Sequence, residues 1–314
     1  MTTTDSFCTI AGREFLGPGD DYHVRVMVER YVRCVQGTSA QQIHHDPRIS
    51  IQPQTASMRS VMSQSMEGRV AVVAGASMGV GRATAIRLAR EGATVVLLAR
   101  RKLLLDEVVE IIGPRAVPIV TDVTSSHDVH AAFDQIAAQF GRIDVLINSA
   151  GASRIRLIEE ASDEDIAVTI NTNLVAPIYT TRSAIPLLRA AGGGDIMNIS
   201  SEITLDDMPM MTLYAATKRG LNGFTGAMSK ELRREGIRVT LVVLGAVGDT
   251  GIHENFGPGD LEKAWPLWEA DGYLTRMSGT HLLTSATVAD VLHDVITRPR
   301  EVMMDVVHVR PASS

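Results

Sequence analysis

The sequence predicts an α/β protein built around one doubly wound parallel sheet with helices on both faces. From Gly68 onward, short apolar runs alternate with longer amphipathic segments, which is the pattern of repeated β-strand and α-helix units. The first apolar run ends in a glycine-rich turn that leads directly into a helical segment. Polar side chains follow the ends of later runs, where open sheets of this kind place ligand-binding groups. Together these observations predict a single Rossmann-type domain.

The predicted strands and helices follow one another in regular order. Strands are predicted at 69–74, 94–99, 117–121, 143–147, 195–199 and 238–244. Helices are predicted at 83–91, 102–112, 126–140 and 213–235. Gly92, Gly113 and Gly141 come directly after the first three helices, as expected for residues that end a helix.

We predict two parts, an N-terminal extension over residues 1–65 and the α/β domain over 66–314. Residues 52–65 are rich in Ser, Gln and Met and have no helical or strand period, which favours a disordered or weakly structured segment. We therefore expect the extension to be dispensable for folding and chemistry. His44 and His45 lie beside an aspartate. We interpret this group as a solvated turn and predict no metal site.

Composition excludes several classes of function. The net charge of −6 argues against a nucleic-acid-binding protein, which would carry basic patches. No window approaches the roughly 20 apolar residues of a membrane span. Residues 1–10 lack the pattern of a secretory signal. The two cysteines, Cys8 and Cys34, both lie in the extension, so we expect a reducing, cytoplasmic location.

The glycine-rich turn after the first strand is a candidate phosphate-binding site. Its sequence, Ala-Gly-Ala-Ser-Met-Gly-Val-Gly, runs from residue 74 to 81. Glycines permit a tight turn and a close approach of backbone to a pyrophosphate, and the next helix presents its free N–H groups to the anion. Glycines alone would fit a plain turn, but the position between strand and helix favours a dinucleotide site. The candidate cofactor-binding residues here are Gly75, Ser77, Gly79, Val80 and Gly81.

The end of the second predicted strand indicates which dinucleotide binds. An acidic residue in this position commonly binds the adenosine ribose, but here Ala99 is followed by Arg100 and Arg101. A guanidinium can form paired hydrogen bonds with a 2′-phosphate, although a solvated basic helix start is the alternative. We predict NADP(H) rather than NAD(H), with Arg100 as a contact, and the missing carboxylate disfavours NAD(H) more than the arginines favour NADP(H).

A phenol and an ammonium lie four residues apart, at Tyr214 and Lys218. On a helix this spacing places both side chains on one face. A tyrosine has an ordinary pKa near 10, and we expect the ammonium, together with the positive charge of an oxidised nicotinamide, to lower it toward neutrality. Ser201 follows the predicted strand 195–199, so it is expected at the same edge of the sheet.

Jointly, these motifs resemble those of the short-chain dehydrogenase/reductase family over about residues 67–312. The resemblance implies a proton relay through Asn173, Ser201, Tyr214 and Lys218. Ser201 would bind the substrate oxygen, and Tyr214 would act as general acid or base. Lys218 would bind the nicotinamide ribose and lower the tyrosine pKa, and Asn173 would help to hold a water molecule.

The same resemblance implies further cofactor contacts. Asp122, with Val123 beside it, would bind the adenine, and Asn148 would be the structural asparagine after the fourth strand. Residues 306–311 resemble the last strand of NADP-dependent members. The chain also departs from the family pattern, most clearly at Ala74, Ser149 and Leu244. The resemblance also implies a cofactor contact at Val247, although the segment before Thr250 is one residue longer than in the family pattern.

These residues predict an oxidoreductase that moves a hydride between NADP(H) and a carbonyl or alcohol. The alternatives are a non-catalytic dinucleotide-binding sensor or scaffold protein, which would usually lose the tyrosine or lysine, and a sugar- or acyl-modifying enzyme on the same fold. The resemblance implies a homodimer or homotetramer. We expect a hydrophobic small-molecule substrate because the segment 251–281 is rich in aromatic residues. Trp265 and Trp268 would either line the substrate pocket or dock their helix on the core.

Overall fold

The computed structural model describes residues 66–252, 256–273 and 282–312. The predicted extension 1–65, with its histidine pair, lies outside the described residues. The proposed boundary at residue 66 therefore stays a prediction.

Seven parallel strands form one sheet in the order β3-β2-β1-β4-β5-β6-β7. The strands are β1 Val70–Ala74, β2 Thr94–Ala99, β3 Ala116–Val120, β4 Val145–Asn148, β5 Gly194–Ser201, β6 Ile237–Leu244 and β7 Val306–Val309. All residues of β1, β4 and β6 are buried, as expected for strands covered on both faces. The chain order reverses between β1 and β4, which is where open α/β sheets bind their ligands.

Helices cover both faces of this sheet. They are α1 Gly79–Arg90, α2 Lys102–Ile112, α3 Ser126–Phe140, α4 Asp163–Ile170, α5 Ala176–Ala190, α6 Thr212–Leu232, α7 Asp260–Ala270 and α8 Ser285–Ile296. One apolar core joins the sheet to α1, α2 and α8. A second core joins the opposite face to α3, α5 and α6. The predicted fold class is confirmed.

The sequence misplaced some element boundaries. Helix α1 begins at Gly79 instead of residue 83, directly after the extended residue Met78. Glycine has poor helix propensity, so the glycines at this position did not predict the first turn of the helix. Strand β5 extends to Ser201, two residues beyond the predicted end. The candidate catalytic serine therefore belongs to the strand itself and takes its position from the sheet.

Candidate active site

A cavity of about 500 Å³ opens at the carboxyl ends of the strands. The loops after β1 to β6 all contribute to its wall. Most of the predicted site residues line it: Gly75, Ser77, Gly79, Val80, Arg100, Asp122, Val123, Ser201, Tyr214, Lys218 and Val247. Three others, Gly81, Asn148 and Asn173, are absent from its lining. The sequence therefore predicted most of one continuous surface from residues far apart in the chain.

The glycine-rich turn allows close packing between backbone segments. Gly75 has a φ of +86°, and a Cβ there would lie 2.6 Å from the backbone nitrogen of Ala150. A Cβ at Gly81 would collide with the carbonyl group of Gly75, so this glycine lets α1 approach the turn. Met78 caps α1 without a side-chain hydrogen bond, and the first turn carries no acidic residue. This arrangement fits a pyrophosphate at the positive end of a helix.

Two arginines and one aspartate line the cavity beyond the ends of β2 and β3. Arg101 donates to the sulfur of Met78 over 2.8 Å, whereas Arg100 is exposed at the end of β2. The Oδ1 atom of Asp122 accepts from the backbone nitrogen of Thr124 at 2.9 Å and from its hydroxyl at 2.7 Å. These bonds fix the carboxylate at the cavity wall.

The catalytic candidates converge where β5 ends beside α6. A hydrogen bond joins the side chains of Tyr214 and Ser201. The ammonium of Lys218 lies 5.6 Å from the centre of the tyrosine ring. It donates to the carbonyl oxygen of Ile199 over 2.8 Å, so its orientation is fixed by β5. Both Tyr214 and Lys218 are buried within the protein although they line the cavity.

Burial controls the protonation of this pair. It raises the pKa of Tyr214 to about 12, against the opposing effect of the Ser201 hydrogen bond. Burial also lowers the pKa of Lys218 to about 8. Desolvation of the phenolate is the largest influence on this tyrosine and raises its pKa, whereas the Ser201 hydrogen bond acts in the opposite direction. Tyr214 is thus held as a neutral hydroxyl.

Asn173 lies in a π-helical turn, Asn171–Val175, between α4 and α5. Its amide nitrogen donates to the carbonyl oxygen of Ala152 at 2.7 Å and to the hydroxyl of Thr217 at 3.2 Å. Its oxygen accepts from the backbone nitrogen of Ala152 at 2.9 Å. The side chain thereby ties the loop after β4 to α6, the helix that carries Tyr214 and Lys218. Such π-turns occur frequently at functional sites.

Asn148 lies beneath the cavity, buried at the end of β4. Its amide nitrogen donates to Asn198 at 2.8 Å and to Thr181 at 3.2 Å. Its oxygen accepts from the hydroxyl of Thr180 at 2.6 Å. These bonds connect β4, β5 and α5, so the structure gives this residue a supporting position and no direct place in the cavity wall.

The sequence identified the apolar part of the cavity wall only in part, through the aromatic-rich segment 251–281. This part of the wall includes Met208, Met211, Ile252 and Phe256, and the last two belong to that segment. Neither tryptophan belongs to this part of the wall. Trp268 is buried behind this wall and donates to the carbonyl oxygen of Pro209 over 2.9 Å, and Trp265 is 48% exposed. Of the two interpretations, docking of α7 on the core therefore fits Trp268. The run of methionines at 208, 210 and 211 was the available sign of an adaptable apolar surface.

Comparison with known proteins agrees with this geometry. Residues 69–260 match the family model for short chain dehydrogenases, and the chain belongs to this family of oxidoreductases. An uncharacterised oxidoreductase from Methylorubrum extorquens is 38% identical over 192 residues, which is 60% of this chain and 77% of that protein. A 3-oxoacyl-[acyl-carrier-protein] reductase from Thermotoga maritima is 35% identical over 185 residues, or 58% of this chain and 75% of the relative.

Solved structures support the same assignment. A metagenomic short-chain oxidoreductase in complex with NADP is 30% identical, with a TM-score of 0.66, and the match covers 80% of this chain and all of the other. A serine dehydrogenase complexed with NADP+ is 26% identical, with a TM-score of 0.69, over 77% and 94% of the two chains. Within the described ranges, no helix is long and apolar enough to cross a membrane.

Proposed function

We propose that this protein is an NADP(H)-dependent oxidoreductase that reduces a carbonyl group, or oxidises the matching alcohol, with Tyr214 as general acid or base. The hydrogen bond between Tyr214 and Ser201 in the cavity wall, with the Lys218 ammonium close to the ring, carries this proposal. A bound nicotinamide dinucleotide would supply or accept the hydride. All the other roles fall to residues of the chain.

The pair of hydroxyls suits the protonation of a carbonyl oxygen. Ser201 would hold this oxygen by a hydrogen bond, and Tyr214 would donate the proton in reduction and recover it in oxidation. The pKa of Tyr214 is raised to about 12 by burial, which keeps the phenol protonated at neutral pH. Lys218 would bind the nicotinamide ribose. Its positive charge would favour the phenolate needed for oxidation, and Asn173 would hold the water molecule of the relay.

The preference for NADP(H) rests on the end of β2. Arg100 and Arg101 line the cavity where an acidic residue would bind an unphosphorylated ribose. The guanidinium of Arg100 would meet the 2′-phosphate with charge-assisted hydrogen bonds. Two similar solved proteins, the metagenomic oxidoreductase and the serine dehydrogenase, are complexes with NADP or NADP+. These observations favour NADP(H) for this chain.

The substrate would be a small carbonyl or alcohol compound with an apolar body. The methionine and phenylalanine side chains of the wall support this choice, because apolar walls with few polar groups suit such ligands. A non-catalytic sensor would not need the complete set of Ser201, Tyr214 and Lys218. A cytoplasmic location and a homodimeric or homotetrameric state stay predictions from the sequence and its resemblance.

A panel of ketones, aldehydes, hydroxy acids, steroids and quinones tests the proposal. Each compound is mixed with the protein and either NADPH or NADH, and cofactor oxidation is followed by absorbance. We expect turnover of at least one apolar carbonyl compound and a higher kcat/KM with NADPH. A preference for NADH would refute the cofactor assignment. Tight binding of NADPH without turnover of any compound would instead favour the sensor.

A further inference from the structure

One carboxylate lies in the catalytic part of the cavity, directly after the candidate serine. Glu202 begins a short 3-10 turn, Glu202–Thr204, at the end of β5, and it lines the cavity together with Ser201. Its side chain is 16% exposed. A carboxylate with so little contact with water is costly unless polar partners meet its oxygens. The partners of Glu202 therefore decide what it can do.

Neighbouring strands fix the orientation of this carboxylate. Its Oε1 atom lies 2.6 Å from Nε2 of His308 on β7. Its Oε2 atom lies beside Gly245, where a Cβ would come within 2.8 Å of the oxygen. Gly245 also lines the cavity and donates its backbone N–H to the carbonyl oxygen of Val309 over 2.8 Å. Within the described part of the chain, the hydrogen bond from His308 reaches Oε1 and none reaches Oε2.

The charges of the cavity are separated along the sheet. Arg100, Arg101 and Asp122 follow β2 and β3, whereas Glu202 follows β5 and shares its part of the cavity with the Lys218 ammonium. Strand β5 lies three positions from β2 in the sheet, which is about 14 Å at the usual strand spacing of about 4.8 Å. Glu202 therefore lies in the part of the cavity that holds Ser201 and Tyr214, away from both arginines. The arginines nearest in the chain, Arg189 and Arg219, are absent from the cavity lining.

We propose that Glu202 is a specificity-determining residue that selects substrates with a hydroxyl or protonated amine close to the reacting carbon. This inference rests on the proposed function and deepens it. An O–H or N–H donor would satisfy the Oε2 atom, which accepts no hydrogen bond from the residues that the structure describes. A substrate carboxylate would be repelled in the same place, in a setting with little water to screen the charges. The apolar wall would hold the substrate body while Glu202 selects its polar substituent.

A matched set of substrates tests this proposal. The set is one cyclic ketone skeleton carrying a methyl, hydroxyl, aminomethyl or carboxylate group at the same ring position. For the wild type we expect the highest kcat/KM for the hydroxyl and aminomethyl compounds and the lowest for the carboxylate. Hydrogen bonds to a charged group are worth about 1.5–3 kcal/mol. The ratio of kcat/KM for the aminomethyl compound to kcat/KM for the carboxylate compound should therefore fall by about 10- to 100-fold in Glu202→Gln. We expect most of this change in KM.

Two further variants serve as controls. Glu202→Asp keeps the charge and should preserve the order of the four substrates. Glu231→Gln removes the same charge from an exposed position on α6 and should leave every ratio unchanged. Unchanged ratios in Glu202→Gln, together with a lower melting temperature, would overturn the proposal and make the Glu202–His308 pair a structural link between β5 and β7.

Failure of the proposed function would give a different result. If the wild type reduces none of the four ketones, binding is measured in place of kinetics. The alcohols that correspond to the aminomethyl and carboxylate ketones are titrated into wild type and into Glu202→Gln by calorimetry. Tighter binding of the amine, lost in Glu202→Gln, would support the assignment of Glu202 independently of catalysis. Equal binding of both probes by both proteins would refute it.

Discussion

Substitution of Gly81 by alanine should damage the glycine-rich turn in a measurable way. The new Cβ would lie 2.9 Å from the carbonyl carbon of Gly75 and 3.3 Å from the hydroxyl of Ser149. Since the first neighbour is backbone, either the turn or the start of α1 must move. Overpacking of this kind costs about 1–3 kcal/mol. In a domain of this size 1 kcal/mol corresponds to about 2–4 °C, so the melting temperature should fall by about 2–12 °C.

Cofactor binding should weaken in the same variant, because the displaced carbonyl belongs to the turn proposed to hold the pyrophosphate. We expect the Kd for NADPH, measured by titration calorimetry, to rise at least about tenfold, the equivalent of 1.4 kcal/mol. Gly226→Ala is the matched control, since a Cβ there meets nothing within 4 Å on α6. Alanine should stabilise that helix by about 0.5–1 kcal/mol. A Gly81→Ala protein with the melting temperature and NADPH affinity of the wild type would refute this reasoning.

Three further predictions concern the cofactor site, the buried lysine and the docking of α7. Arg100→Ala should lower the ratio of kcat/KM with NADPH to that with NADH at least about tenfold; an unchanged ratio would contradict the assigned phosphate contact. Burial lowers the pKa of Lys218 from 10.5 to about 8, so the folded protein bears a cost of about 3 kcal/mol below pH 8 that disappears as the pH rises to 10.5. Lys218→Met should therefore unfold at higher urea concentration than wild type at pH 7, and this difference should shrink toward pH 10.5; a difference independent of pH would contradict it. Trp268→Ala should cost about 3–5 kcal/mol of unfolding free energy, whereas Trp265→Ala, at a half-exposed position, should cost little; equal losses would contradict the docking role.

The sequence predicted the fold well because the pattern of buried strands and amphipathic helices is a local property. It also predicted that Ser201, Tyr214 and Lys218 converge, since the ends of parallel strands meet at one edge of the sheet. The boundaries of β2, α2 and α3 agree with the predicted ones. These successes depend on periodicity and spacing, which can be read along the chain.

Properties that depend on three-dimensional surroundings could not be predicted in the same way. The pKa of Tyr214 is controlled by burial, and its spacing from Lys218 carries no information about desolvation. Trp268 lies behind the cavity wall, a position that its place in an aromatic segment does not specify. Glu202 gains its significance from His308, 106 residues later in the chain. Each case requires packing between distant segments.

The central claim is that Tyr214 transfers the proton, and Tyr214→Phe tests it most directly. The substitution keeps the ring and its contacts but removes the hydroxyl that is hydrogen-bonded to Ser201. With NADPH and a carbonyl substrate found in the panel, we expect kcat to fall by about 10²- to 10⁴-fold, the usual contribution of a general acid. Calorimetry should show that the variant still binds NADPH. A Tyr214→Phe enzyme with near-normal kcat would contradict the proposed mechanism.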